Sequence, residues 1–192
     1  MQKNNWLSLS SLDEITNYRK KNLEAHLVVD TNVFLLYLVG NYDVEYLEEC
    51  PLMTENSKNY GKSEYDLFVK ILNIFLNKVV ITPHILSEIN MLVRTRIKPD
   101  DKMKNHFNNL LKLLESCKEE NVSKEILVKN KAILNFGFTD MSLTELALMR
   151  QWVVLTDDLP LFIKFNQYLP IINFSSVVAN DLKLNYQSRV LA

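Results

Sequence analysis

The chain returns four times to a short, unbroken run of apolar and mostly β-branched residues: His26–Asp30 (HLVVD), Val79–Ile81 (VVI), Trp152–Thr156 (WVVLT) and Ile171–Phe174 (IINF). Each run is too short for a core helix. None alternates as a strand with one wet face does, so each reads as a strand covered on both sides. The stretches between them carry helical periodicity instead. Strands separated by helices pair in parallel, with the helices laid over the sheet. The expected fold is therefore α/β, a three-layer α/β/α sandwich around a central, mostly parallel sheet of short strands. A fifth strand could be hidden from the apolar pattern.

The remaining segments follow from local chemistry. Residues 11–22 read as a helix capped by Ser11, with acids in the first turn. Val33–Val39 continues from the first strand as an apolar helix, and Tyr65–Leu76 forms another. Thr82 is placed to cap a helix that has Pro83 at its first position. Residues 41–62 contain Pro51 and Gly61 and show no clean period, which reads as an insertion with about one helical turn. Residues 101–134 suggest two amphipathic helices, with Leu110, Leu111, Leu114 and Cys117 on one stripe and Ile126, Leu127, Ile133 and Leu134 on the other. Phe136–Thr139 reads as a turn and Asp140–Arg150 as a helix. The whole is expected to be one domain over residues 1–192. Residues 1–25 would be an N-terminal helical extension, 26–174 the core with helical insertions near 41–77 and 101–134, and 175–192 a weakly helical tail.

Composition removes several kinds of chemistry. The three glycines, Gly40, Gly61 and Gly137, are scattered, so no glycine-rich phosphate or dinucleotide loop is present. Two cysteines (Cys50, Cys117) cannot build a four-thiolate zinc site, and His26, His84 and His106 lie far apart. A formal net charge of −1 argues against a broad basic face. No apolar run approaches a membrane span, and residues 1–15 lack the apolar region of a secretory signal. Unpaired cysteines suit a reducing compartment, so a cytoplasmic location is expected. Any catalysis has to come mainly from carboxylates.

The carboxylates have suitable positions. Asp30 closes the first strand, and Asp157 and Asp158 close the third of the four runs. In a parallel sheet these ends share the carboxyl edge, where open α/β sheets bind ligands. Glu88 lies one turn into the helix after Val79–Ile81, on the flank of the stripe Ile85, Ile89, Leu92 and Val93. Asp140 opens its helix in line with Leu143 and Ala147. Two carboxylates ~5 Å apart repel by about 3 kcal/mol at an effective dielectric near 20. No Lys or Arg lies within three residues of Asp30, Asp140, Asp157 or Asp158 to offset this. A hard divalent cation with oxygen ligands, Mg²⁺ or Mn²⁺, is the natural solution, and such a site suits phosphodiester hydrolysis.

These residues resemble the PIN-domain nucleases, the family that includes the VapC-type toxins. The resemblance rests on Val28-Val-Asp30-Thr31-Asn32, on Thr82-Pro83 leading to Glu88, on Thr139-Asp140-Met-Ser-Leu143 and on Leu155-Thr156-Asp157-Asp158, in that order over residues 26–174. It implies a Mg²⁺- or Mn²⁺-dependent endoribonuclease that cleaves single-stranded RNA, with a toxin or defence role among those open to it. Asp30, Glu88, Asp140 and Asp158 would be catalytic. Asp30, Asp140 and either Asp157 or Asp158 would hold the metal, the family's Thr-x-Asp spacing selecting Asp158. Asn32 and Thr156 would position those groups. RNA, an antitoxin or other protein, and a second copy of the chain are the partners it suggests. The 58 residues between Asp30 and Glu88 exceed the compact toxin spacing and indicate a larger protein with an added lid or clamp.

Each acid also has a plain structural reading. A strand-end Asp commonly caps the next helix, and Glu88 or Asp140 alone could be a helix-surface acid. The case rests on their convergence. Arg94, Arg96 and Lys98, with Lys102 and Lys104, form the densest basic cluster and could hold an RNA backbone or merely be solvated. His84 is a further substrate contact to consider, while Tyr42, Tyr46, Tyr60 and Tyr65 are read first as packing residues. A catalytically degenerate module that binds RNA or a protein, and a DNA-directed structure-specific nuclease, are the alternatives. A dehalogenase-type phosphatase is disfavoured because Asn32 stands where its second Asp is needed.

Overall fold

The computed structural model describes residues 8–54, 60–76, 78–97 and 114–190. Its centre is a five-stranded sheet: β1 (Leu27–Val29), β2 (Val79–Ile81), β3 (Lys118–Glu119), β4 (Val153–Thr156) and β5 (Ile171–Asn173). All pairings are parallel and the order is β3-β2-β1-β4-β5. The fold is thus α/β with helices flanking an all-parallel sheet. Every residue of β1, β2, β4 and β5 is buried, as a sheet covered on both faces requires.

Strand β3 is the one the apolar pattern did not show. It has two exposed, charged residues, Lys118 and Glu119, at the edge of the sheet. An edge this short and charged offers little template for another chain. The two-helix expectation for 101–134 is corrected where it can be followed. Residues 98–113 lie outside the described residues, and the part beyond them holds β3 and the single-turn helix α6 (Lys124–Leu127). Leu127 is buried, but Leu134 is 90% exposed, so the second stripe does not exist as a continuous face.

The helices are α1 (Leu12–Lys21), α2 (Thr31–Tyr42), α3 (Pro51–Thr54), α4 (Lys62–Ile74), α5 (Pro83–Arg96), α6, α7 (Ile133–Arg150), α8 (Leu159–Phe165) and α9 (Phe174–Val190). Ser11 accepts from the Glu14 N–H and caps α1. Thr82 likewise caps α5, with Pro83 at the first position. Helix α2 buries residues on nearly every side, including Val33, Phe34, Leu35, Leu36 and Leu38, because it lies inside the molecule. Gly40 is what lets it approach α4: a Cβ there would lie 2.2 Å from the Tyr65 ring. The segment read as an insertion holds a 3₁₀ turn (Glu45–Glu48) and α3.

The first and last described segments join this core. Ile15 of α1 is fully buried, and Leu9 bridges to Ile172 beside β5. The tail read as weakly helical is the 17-residue α9, beginning directly at Phe174, with Val177 buried. The expected turn at Phe136–Thr139 is present as a break in α7, where Gly137 has φ +79° and ψ −179°. Only glycine adopts such angles without strain. Among the described residues, no helix is long and apolar enough to cross a membrane.

Candidate functional site

Strand order locates the site. The chain steps from β1 outward to β2 and β3, then returns to β4 on the other side of β1 and continues to β5. Right-handed crossovers put the helices of these two courses on opposite faces, so the strand order reverses between β1 and β4, whose carboxyl ends are where open α/β sheets bind ligands. Asp30 follows β1, and Asp157 and Asp158 follow β4. The backbone N–H of Asp30 donates to the Leu155 carbonyl at 2.9 Å, fixing the two strand ends together.

Asp30 stands at the N-cap position of α2, yet its side chain makes no capping hydrogen bond. Its Oδ2 instead accepts from the Thr156 hydroxyl at 2.8 Å. The same hydroxyl oxygen accepts from the Asp158 N–H at 3.0 Å, so Thr156 links the first acid to the turn that carries the last. Asp158 does cap: its Oδ1 accepts from the Leu161 N–H at 2.7 Å. On α5, half-buried Glu88 accepts from the Thr31 hydroxyl at 2.9 Å, which ties α5 to the start of α2. Asp140 sits three residues past the break at Gly137, half-buried, with no hydrogen-bond partner for its carboxylate among the described residues. The start of α5 is braced to this segment. The Thr82 and Ser142 hydroxyls lie 3.0 Å apart, and Ser142 donates to the Thr139 carbonyl at 2.7 Å.

The electrostatics follow from this crowding. Burial lifts the Asp30 carboxyl to about 6; the Thr156 hydrogen bond opposes that rise, and the charges of Glu88 and Asp158 add to it. Burial also lifts Asp140, to about 7, with Asp30, Asp158 and Glu88 all pushing the same way. Each of the two thus responds to the other three members or to two of them, which places Asp30, Glu88, Asp140 and Asp158 within electrostatic reach of one another. Among the described residues, no Lys, Arg or His forms an ion pair with any of the four. Nor are any three His, Cys, Asp or Glu side chains among them positioned as a group to hold one metal ion.

Asp157 belongs elsewhere. Although adjacent to Asp158, it is buried, and its Oδ1 accepts from both the N–H (3.0 Å) and the hydroxyl of Ser175 at the start of α9. Its Oδ2 accepts from the Tyr60 hydroxyl. It does not figure among the charges acting on Asp30 or Asp140. The doublet therefore divides, with Asp158 facing the cluster and Asp157 tying the segment before α4 and the start of α9 to the sheet edge. Both carboxylate oxygens of Asp157 are thus engaged by protein donors.

Of the basic cluster, the described members are not brought to the acids. Helix α5 runs back from the carboxyl edge, and Arg94 and Arg96 lie in its last turn, ~9–12 Å beyond Glu88 along the axis. Lys98, Lys102 and Lys104 lie outside the described residues. Asn32 is half-buried in the first turn of α2, beside the cluster. The tyrosines pack: Tyr37 stacks on Tyr65, Tyr42 meets Tyr46 edge-on, and Tyr60 meets Phe174. Thr31, Ser175 and the Thr82–Ser142 pair escaped the sequence reading. Thr31, Thr82 and Ser142 stand within the motifs themselves, whereas Ser175 had no such signal. No protein-family model, curated protein or solved structure matches the chain.

Proposed function

We propose that the chain is a divalent-metal-dependent nuclease of PIN type, cleaving phosphodiester bonds in single-stranded RNA at the carboxyl edge between β1 and β4. The observation that carries this reading is the set of four acids, in which burial and the neighbouring charges of Glu88 and Asp158 raise the proton affinity of Asp30 and Asp140, with no cationic side chain among the described residues paired to any of the four. A protein gains nothing in stability from such a set. Oxygen donors of this kind suit Mg²⁺ or Mn²⁺. Asp30 and Asp140 would hold such an ion through their carboxylate oxygens. When bound, the ion supplies charge neutralisation at the phosphate and acidifies a water molecule.

The chain's own groups divide the work. Asp30 and Asp140 carry the negative charge that attracts the ion. Thr156 holds Asp30 in place and fixes the turn that presents Asp158. Glu88, held by Thr31, orients the attacking water. Asn32, in the first turn of α2 after Asp30, would assist in positioning these groups.

The test is an incubation of the purified protein with a fluorescent single-stranded RNA in Mn²⁺, in Mg²⁺ and in chelator, beside DNA of the same sequence. Cleavage of RNA that needs the ion, and that Asp30→Asn abolishes while the circular dichroism spectrum stays native, is the expected outcome. Preference for the DNA strand would move the substrate class. No cleavage of either by the wild-type protein would refute the nuclease. A binding module without catalysis is the second reading. Calorimetry showing no Mn²⁺ binding, together with RNA affinity unaffected by chelator, would select it.

A further inference from the structure

A strand approaching four carboxylates needs an attachment that does not depend on its charge. Among the described residues, none of the four acids pairs with a basic side chain, and Arg94 and Arg96 lie at the far end of α5. The rim of the site carries a pair of rings instead. His84, in the first turn of α5, lies against Phe138 with ring centroids 6.1 Å apart and planes 6° from parallel. Phe138 is 52% exposed although it is a large apolar side chain. Its ring thus runs nearly parallel to that of His84 and keeps about half of its surface in water.

Both rings are tied to the acid cluster. His84 precedes Glu88 by four residues, so the two share a face of α5. Phe138 precedes Asp140 by two residues, within ~7 Å along the chain. Gly137 sets the direction in which Phe138 leaves the helix. A Cβ at Gly137 would meet nothing within 4 Å, so the site has room for a side chain, and the constraint is the φ of +79°. The Thr82–Ser142 and Ser142–Thr139 hydrogen bonds then hold the two rims in register. An exposed phenyl ring, backed by a second ring and fixed by a glycine that only the backbone angle demands, is a prepared stacking surface.

We propose that Phe138, backed by His84, is a stacking platform for one unpaired nucleobase of the substrate strand, next to the phosphate that lies at Asp30 and Asp140. This rests on the nuclease reading for the position of the phosphate. Every base has a π-face, so the platform tolerates any sequence, and it discriminates for single strands because a paired base is already stacked on both sides. Affinity at this point comes from ring contact, which lets a rim whose acids pair with no cation among the described residues retain a polyanion.

The test uses the full chain and a fluorescein-labelled single-stranded RNA decamer, beside a decamer abasic at every position. Phe138→Ala should weaken RNA binding about tenfold by fluorescence anisotropy, and leave calorimetric Mn²⁺ binding as in the wild type. Phe138→Trp should restore affinity, and its emission, after subtraction of the wild-type signal, should be quenched by the RNA and not by the abasic strand. Wild-type affinity in Phe138→Ala, or an unquenched tryptophan in a protein that still cleaves RNA, would overturn the platform. Absence of Mn²⁺ binding and of cleavage in the wild type would instead count against the nuclease, while the quenching result would still decide the stacking.

Discussion

Replacing Asp30 with Asn should stabilise the metal-free protein at neutral pH while destroying its activity. Asp30 is 4% exposed, and its carboxyl is lifted from an ordinary 3.8 to about 6, first by burial. An acid held above its ordinary value is more easily protonated in the folded chain than in the unfolded one. Its effect on stability is therefore nil below about pH 4, where both states are protonated. The penalty builds as pH rises from about 4 to about 6 and is complete above that. Two pH units correspond to about 3 kcal/mol. The isosteric amide keeps an oxygen to accept the Thr156 hydrogen bond and removes the charge. In a chelating buffer, Asp30→Asn should thus gain about 2–3 kcal/mol over the wild type at pH 8, or roughly 5–10 °C in Tm for a chain of this length, and nearly nothing at pH 4. Saturating Mn²⁺ should close the gap by stabilising the wild type alone, by about 2.7 kcal/mol at a hundred times Kd. Chemical denaturation at the two pH values, with and without Mn²⁺, measures all four quantities. A variant less stable than the wild type at pH 8, or a difference independent of pH, would show that Asp30 is a structural acid and would remove the basis for a cation site.

Three further outcomes are expected. Tyr60→Phe removes one partner from the buried Asp157 carboxylate and should lower stability by about 1–3 kcal/mol, read as a fall in denaturation midpoint with an unchanged slope. Gly40→Ala forces a methyl group into the Tyr65 ring and should destabilise by about 1–3 kcal/mol, with Tyr65→Ala in the same chain restoring part of the loss. Gly137→Ala meets no steric neighbour but puts a Cβ on a glycine-only backbone conformation; about 1–3 kcal/mol of strain is expected, along with a drop in cleavage rate as Phe138 and Asp140 turn away, and unchanged activity would show that the break does not position them.

Local chemistry made much of the fold legible. Runs such as Val79–Ile81 and Trp152–Thr156 have only one stable setting, a sheet covered on both faces, and the structure places β2 and β4 within them. Thr82 followed by Pro83 marks the start of α5, and Gly137 marks the break in α7, because caps and backbone angles are decided by a few adjacent atoms. Strand β3 stayed hidden because Lys118 and Glu119 owe their strand geometry to pairing with Val80 and Ile81, not to their own character. Helix α9 was underrated for the same reason, since its stability comes from packing against the sheet.

The positions of Asp30, Glu88, Asp140 and Asp158 at helix starts and strand ends are a property of the sequence, and so is the absence of nearby basic residues. What those acids do to one another is not, because it depends on distance through space. The separation of Asp157 from its neighbour Asp158 required Ser175 and Tyr60, the latter 97 residues away in the chain. The link from Asp30 to Thr156 spans 126 residues. Contacts of that range come from strand order and helix packing, where the free energy is a sum over the whole core, so no local pattern of residues can announce them.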